Sequence, residues 1–235
     1  MAIKDKDFVE IEYTGKFAED KAVFDTSDEA LAKKTGIFTE GMRYGPLTIC
    51  IGEHQVIAGL DKNLIGKDAG KDYTFAVPPE DGFGKKDAKL LILVPLNAFK
   101  KQNINVMPGL QVEIDGRMGV IKTVTGGRVI VDFNHPFSGK DLLYEVKVRR
   151  MVEDKVEQLN SVLYLLLGTK PETAIADGAA TVTLEQRFPA ELEKELEKKL
   201  VGLTGVKSVV FKAKEPKKEP AAENAAEKIS GPEQD

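Results

Sequence analysis

Cysteine is almost absent from this chain. Among 235 residues there is one, Cys50, which excludes an intrachain disulfide and a multi-cysteine metal site. Histidine is nearly as scarce, with only His54 and His135. A metal centre built on them would need stray carboxylates without a local ligand spacing. Basic charge is not in excess either. Lys and Arg number 34 against 38 Asp and Glu, a formal net charge of −4, with the two signs mixed along the chain. That argues against nucleic acid as the main partner, because phosphate binding needs a basic surface. Long apolar runs are missing too. The longest, Val162 to Leu167, falls far short of the ~20 residues of a membrane-spanning helix. The start, MAIKDKDFVE, is charged and lacks an apolar signal segment. The expectation is a soluble cytoplasmic protein with no membrane partner.

What is present is an ordinary globular composition, 42% hydrophobic and 31% charged, long enough for two or three compact domains. In Asp7–Gly15, Val9, Ile11 and Tyr13 alternate with Glu10, Glu12 and Thr14, the period of a half-buried strand. A strand at Ala22–Asp25 follows, then a short helix that Asp28 can cap and Gly36 can end. Leu47, Ile49 and Ile51 alternate as a third strand. Val56, Ile57, Leu60, Leu64 and Ile65 fall near helical spacing and predict a short helix over 56–65. Lys71–Val77 reads as a fourth strand, closed by Pro78-Pro79. After Gly84 come four short strands, Leu91–Pro95, Leu110–Ile114, Arg117–Val124 and Arg128–Phe133. Asp115-Gly116 and Gly126-Gly127 suit tight hairpins between the last three. Asp141–Arg149 is a strong strand with no close partner in that meander, and it reads as a return to the first sheet. Residues 85–135 are therefore expected to be a small β-rich domain inserted into another, which comprises 1–84 and 136–151.

A third unit spans 152–213. Val152, Val156, Leu159, Leu163 and Leu166 predict a helix that Gly168 terminates. Ala180–Arg187 reads as a strand, Pro189 opens a second helix and Val206–Ala213 is another strand. This is a small α+β domain in the order helix–strand–helix–strand. Its core looks thin, so a homodimer through this C-terminal domain is the expectation. From Lys214 to Asp235 the chain is rich in Lys, Glu, Pro and Ala and reads as a disordered tail.

Ordinary catalytic arrangements fail in turn. Cys50 sits between Ile49 and Ile51 on a strand and suits a small buried thiol better than a nucleophile. GFGKK at 82–86 lacks the spacing of a phosphate loop. Glu53, His54 and Asp61 offer an acid–base triplet in IGEHQVIAGLDKNLIG, but aliphatic residues crowd between the charges. Asp25 alone reads as a turn or cap residue. Tyr13, Phe24, Leu47, Val56, Ile57, Phe83 and Tyr144 lie beside glycine-rich turns, a composition that fits a core or an apolar ligand pocket.

The order of motifs is specific. Tyr-Thr-Gly-Lys at 13–16, Phe-Asp-Thr-Ser at 24–27, Gly-x-x-x-Val-Ile-x-Gly at 52–59, Gly-Phe-Gly at 82–84 and Leu-Leu-Tyr-Glu-Val at 142–146 occur together. This resembles the FKBP-type peptidyl-prolyl cis–trans isomerases. The segment closing with Asn-His-Pro-Phe-Ser-Gly-Lys-Asp-Leu at 134–142 is similar to the insert-in-flap domain of SlyD-like members, and the C-terminal domain resembles that of long archaeal members. The resemblance implies an α+β fold, an antiparallel half-barrel sheet around a short helix with an apolar pocket between them. It implies isomerisation of X–Pro bonds in unfolded or nascent polypeptide clients, without cofactor or metal.

Carried over by position, Tyr13, Phe24 and Asp25 form one wall, with Asp25 a polar organiser paired to the Tyr13 hydroxyl. Leu47 takes a position often aromatic in the family. Val56 and Ile57 lie at the mouth, where the Ile57 N–H would bind a substrate carbonyl. Leu60 lies on the floor, where many relatives have tryptophan. Phe83 replaces a tyrosine whose hydroxyl helps hold substrate, and Tyr144 replaces a phenylalanine. His54 is expected at the rim without a catalytic role. FK506-like macrolides are implied ligands. The insert is implied to be a chaperone platform, with Leu96, Phe99, Ile104, Val106 and Met107 as the expected exposed contributors. Leu60 and Phe83 motivate an alternative, a holdase-type chaperone with weak or absent isomerase activity. A metal-delivery role is disfavoured, because the tail has neither histidine nor cysteine.

Overall fold

The computed structural model describes residues 2–214. Of the tail read at 214–235, all but Lys214 lies outside the described residues. The chain builds three sheets, each over its own apolar core.

The first sheet has five antiparallel strands. They are β1 (Phe8–Phe17), β2 (Val23–Thr26), β3 (Leu47–Cys50), β4 (Lys71–Val77) and a much later strand at Leu142–Met151. That late strand lies between β1 and β4, while β2 and β3 share the other edge of β1, one after the other. Val9 and Ile11 of β1, with Ile49 of β3, point to one face and are fully buried, as the period of two requires. Between β2 and β3 lies α1 (Glu29–Thr35). The Asp28 carboxylate accepts from the Ala30 and Leu31 amides, and Gly36 ends the helix in the left-handed conformation.

Between β3 and β4, α2 (Ala58–Leu64) packs on the apolar face through Leu60 and Leu64. It is shorter than the periodicity of 56–65 predicts. Val56 and Ile57 precede it in an extended turn, and Ile57 takes the N-cap position with its carbonyl accepting from the Leu60 and Asp61 amides. Gly59 permits the close packing: a Cβ there would lie 2.4 Å from Val77 Cγ1.

From β4 the chain leaves this sheet and builds a second one. Its elements are β5 (Leu91–Pro95), α3 (Leu96–Lys101), β6 (Gln111–Ile114), β7 (Arg117–Thr125) and β8 (Arg128–Asp132), in spatial order β5-β8-β7-β6. Asp115 and Gly116 both have positive φ in the two-residue turn between β6 and β7. The strand at Leu142–Met151 is β9, which pairs with β4 from Val77↔Leu142 to Lys71↔Val148. The outgoing and returning chains are tied together. The Gly139 amide donates to the Gly84 carbonyl at 2.8 Å and Phe133 N–H to Leu90 O at 3.0 Å. The Asn134 side chain accepts from the Asp87 amide and donates to the Asp87 carbonyl.

The third unit comprises α4 (Lys155–Leu167), β10 (Glu172–Ala176), β11 (Ala179–Leu184), α5 (Ala190–Thr204) and β12 (Ser208–Ala213). The order is helix–strand–strand–helix–strand, not the alternation read from sequence, because β10 pairs antiparallel with β11. α5 then crosses over to bring β12 parallel to β11. The core is not thin. Leu159, Val162 and Leu163 of α4 meet Leu196 and Leu200 of α5 and the sheet, and Phe8, Cys50 and Val152 join the same cluster. Phe8 and Cys50 are cross-strand partners on β1 and β3. They supply apolar surface that was expected to need a second copy of the chain. Among the described residues no helix is long and apolar enough to cross a membrane.

Candidate functional site

A cavity of about 380 Å³ opens between the first sheet and α2. Tyr13, Asp25, Leu47, Gln55, Val56, Ile57, Leu60, Phe83 and Tyr144 line it. A larger concavity of about 740 Å³ lies elsewhere on the same sheet, but most of its lining side chains are charged or hydroxylated. The smaller cavity is the one with an apolar wall and a few convergent polar groups.

The floor is Leu60, 1% exposed, and the back wall is Tyr144, also buried. Phe24 sits behind the cavity, not in its lining. Its ring meets Phe83 edge-on at 6.0 Å and Tyr144 edge-on at 5.9 Å. Both contacts are T-shaped, the geometry that the ring quadrupoles favour. Gly15 makes room for this arrangement, since a Cβ there would come within 2.8 Å of the Phe24 ring. The aromatic group continues outward. Phe137 packs against Phe17, Phe24 and Phe83, and the His135 ring stacks on Phe83 at 4.7 Å. A wall of the cavity is therefore braced by residues next to the chain returning from the second sheet.

Polar groups are few. The Tyr13 hydroxyl donates to Asp25 Oδ2 at 3.1 Å. Burial raises the Asp25 carboxyl above its ordinary value, partly offset by that hydrogen bond. Burial first, then the Asp25 charge, pushes the Tyr13 and Tyr144 phenols up, so both stay protonated donors at neutral pH. The Ile57 N–H and the Tyr144 hydroxyl make no hydrogen bond within the described residues. Both are half-buried or buried donors at the cavity wall.

Gln55 is the lining residue that sequence reading missed. Its Oε1 accepts from the Cys50 amide at 2.7 Å, which fixes the turn carrying Val56 and Ile57. Its position beside Val56 in the Gly52–Gly59 motif was the available signal. His54 is not in the lining, contrary to its expected place at the rim. Its side chain is 83% exposed, its φ is +54°, and its Nδ1 lies 4.0 Å from Asp61 Oδ2. Asp61 is buried and accepts from the Gly52 and His54 amides, so it closes the turn. Glu53 pairs with Lys6 and with Lys199 of α5. The apparent triplet is three separate structural roles. Cys50 is buried, its thiol pushed up to about 12 by burial and then by Glu53, which leaves it un-ionised at neutral pH.

The surface residues expected on the second sheet need correction. Phe99 is buried at 4% exposure in that sheet's own core, held there by α3, and Leu96, Ile104 and Val106 pack partly buried against the same core. Only Met107 of the five is strongly exposed, at 53%. Leu91, Ile92 and Leu93 of the edge strand β5, with Met118 of β7, are exposed instead.

The short-type peptidyl-prolyl cis–trans isomerase of Methanocaldococcus jannaschii is 33% identical over 147 residues, 63% of this chain and 92% of that protein. The chain belongs to the FKBP-type peptidyl-prolyl cis–trans isomerases. Other members of the family match across bacteria. A probable FKBP-type 16 kDa isomerase of Pseudomonas fluorescens is 31% identical over 108 residues, 44% of this chain and 71% of its own length. The FKBP-type isomerase SlyD of Treponema pallidum is 30% identical over 124 residues, 51% of this chain and 70% of its own. Residues 92–137 match the family model described as the IF domain of FKBP26. Within this FKBP-type chain, that match spans β5 to β8 and the returning His135 and Phe137.

Proposed function

We propose that the protein is a peptidyl-prolyl cis–trans isomerase and folding chaperone that acts on X–Pro bonds of unfolded polypeptides. The observation that carries this reading is the apolar cavity between sheet and α2, walled by the residues of an FKBP-type motif set. The five-stranded sheet is then the FKBP half-barrel, 85–135 the inserted chaperone domain and 152–213 a separate C-terminal α+β domain. The cytoplasm is the proposed location.

The reaction requires little covalent chemistry. Amide resonance opposes rotation with a barrier of roughly 18–20 kcal/mol, so uncatalysed X–Pro exchange takes tens to hundreds of seconds. The planar amide is more polar than the twisted one. An apolar pocket therefore disfavours the ground state relative to the transition state, which is where selective binding raises the rate. In this reading Leu60, Val56, Phe83 and Tyr144 hold the proline ring, with Phe24 bracing the wall. The Ile57 N–H takes a substrate carbonyl, and the Tyr144 hydroxyl offers a donor that Phe83 lacks. Asp25 fixes Tyr13. The same pocket is the proposed seat for FK506-like macrolides.

The exposed β5 face, with Met107 and Met118, supports client capture by the insert. Unpaired edge-strand groups and flexible methionines both suit an unfolded chain. The homodimer is proposed on narrower ground than a thin core, namely the exposed Leu166, Leu192 and Val210. Light scattering of chains ending before and after residue 153 tests it, and monomers in both cases reject it.

The deciding measurement is NMR exchange on a Leu-Pro or Phe-Pro peptide, with full chain and with 86–134 deleted. Acceleration by both supports the isomerase. No acceleration at high enzyme concentration, with aggregation still suppressed by the full chain, selects the holdase reading.

A further inference from the structure

Charge is divided unevenly along the chain. Residues 85–135 hold eight Lys and Arg against four Asp and Glu, a net charge of +4. The whole chain carries −4, so the remainder carries −8. All eight cations are exposed, and among the described residues only Lys85 and Lys122 of them make ion pairs. The four acids are occupied or distant. The Asp132 carboxylate accepts from the Asn134 amide and meets Lys122, and the Asp87 carboxylate accepts from the Lys89 amide. Glu113 and Asp115 belong to β6 and its hairpin, at the edge of the sheet remote from β5.

Strand register places the cations beside the apolar surface. Val129 and Val131 of β8 point into the core of the second sheet, so Arg128 and Ile130 face the other way. Across the ladder Leu93 opposes Ile130 and Pro95 opposes Arg128. Val120 and Met118 flank the buried Gly119 of β7 and share that face. Leu91, Leu93, Ile130, Val120 and Met118 thus form an open apolar face that Arg128 joins at one end. The outer edge of β5 pairs with no strand among the described residues. Lys89 stands two residues before Leu91 at one end of that edge, and Arg128 lies across from Pro95 at the other. An extended segment laid along β5 covers about 17 Å of strand, with a cation beyond each end. At about 0.1 M salt the screening length is about 10 Å, so the segment meets chiefly the charges beside β5.

We propose that the insert selects client segments in which an apolar stretch of about five residues, the length of β5, is flanked by Asp or Glu. Lys89 and Arg128 are the selecting cations, and the same charges turn away segments flanked by Lys or Arg. This inference rests on the client-capture reading of the insert.

The test uses proline-free peptides with one shared apolar core, flanked on both sides by Glu, Gln or Lys pairs, titrated against the full chain by fluorescence anisotropy. The Glu-flanked peptide is expected to bind about three- to tenfold tighter than the Gln-flanked one, and the Lys-flanked peptide to bind weaker by a similar factor, the scale of two exposed ion pairs. Salt at about 0.5 M should compress the series to within about twofold. The double variant Lys89→Glu, Arg128→Glu should reverse the order, and Lys89→Gln, Arg128→Gln should level it. Neither position lines the cavity beside α2, so exchange on a Leu-Pro tetrapeptide should stay within about twofold of wild type in both. Equal affinity for the three peptides, or an unchanged order in the charge-reversed variant, would overturn the selectivity and leave client capture standing. If no peptide binds whatever its flanks, client capture by the insert falls and the selectivity with it. Tighter binding of a Glu peptide without the apolar core, or of a short single-stranded RNA, would reassign the cations to bare polyanions and overturn the proposal.

Discussion

The cavity beside α2 and the exposed face of the second sheet are both apolar, yet they are built on opposite terms. In the cavity, rings brace one another and Leu60 is shut between α2 and the first sheet. On the second sheet, Leu93 is 55% exposed and Met118 61% exposed, with β5 left as an edge strand. The first region is braced from behind, which suits the proposed task of holding one geometry of one bond. The second is an open edge face, which suits the proposed capture of many sequences. The difference lies in support from behind and not in hydrophobicity.

That contrast can be broken by substitution. Leu60→Ala should have the largest effect, lowering stability by about 2–5 kcal/mol because a fully enclosed side chain leaves a void. Urea unfolding measures it, and the proline exchange rate should fall with it. A loss below about 1 kcal/mol would mean the floor collapses easily and the cavity is not preformed. The double substitution Leu91→Ser, Leu93→Ser should do the reverse. Stability should change by no more than about 0.5 kcal/mol per site, as surface changes do, while suppression of client aggregation drops severalfold. Full chaperone activity in this variant would move client capture off β5.

Asp25→Asn sharpens the comparison electrostatically. Burial raises the Asp25 carboxyl, so the folded state holds that proton more tightly than the unfolded chain does. Its contribution is therefore present in acid and lost as pH rises from the ordinary carboxylate value through the raised one. Relative to wild type, the asparagine variant should gain stability as pH rises from the ordinary carboxylate value through the raised one. Parallel unfolding curves across that range would reject a buried, charged Asp25. The smallest effect is expected from His54→Ala. Exchange should stay within about twofold of wild type. A large loss would restore the acid–base reading.

Much of this was legible before the fold. Lys71–Val77 and Leu91–Pro95 are the strands their alternation and boundaries predict. Asp28 and Gly36 bracket α1 because capping is local chemistry. The cavity residues were legible through ordered motifs, since their meeting depends on strand order and not on local pattern. What was missed depends on tertiary context. β10, Glu172–Ala176, is short and alanine-rich, and pairing with β11 makes it a strand. Leu91–Val94 is a continuous apolar run, yet its first three residues are exposed in the described structure. Phe99 looked free because α3, only six residues long, was not seen. The docking of the third unit had a signal that went unread. Phe8 and Cys50 are apolar residues on the polar phase of their strands, side by side across the ladder, where one covering surface would bury both.

The paired backbone bonds where the chain leaves and re-enters the first sheet have an engineering consequence. Gly84 and Gly139 are hydrogen-bonded neighbours, and β4 and β9 are already zipped together beside them. The two ends of the excursion thus form a socket whose spacing is set by the host sheet. A module with adjacent termini could be grafted there without changing the register of the sheet, and in the proposed function this makes client choice and bond rotation separately exchangeable parts.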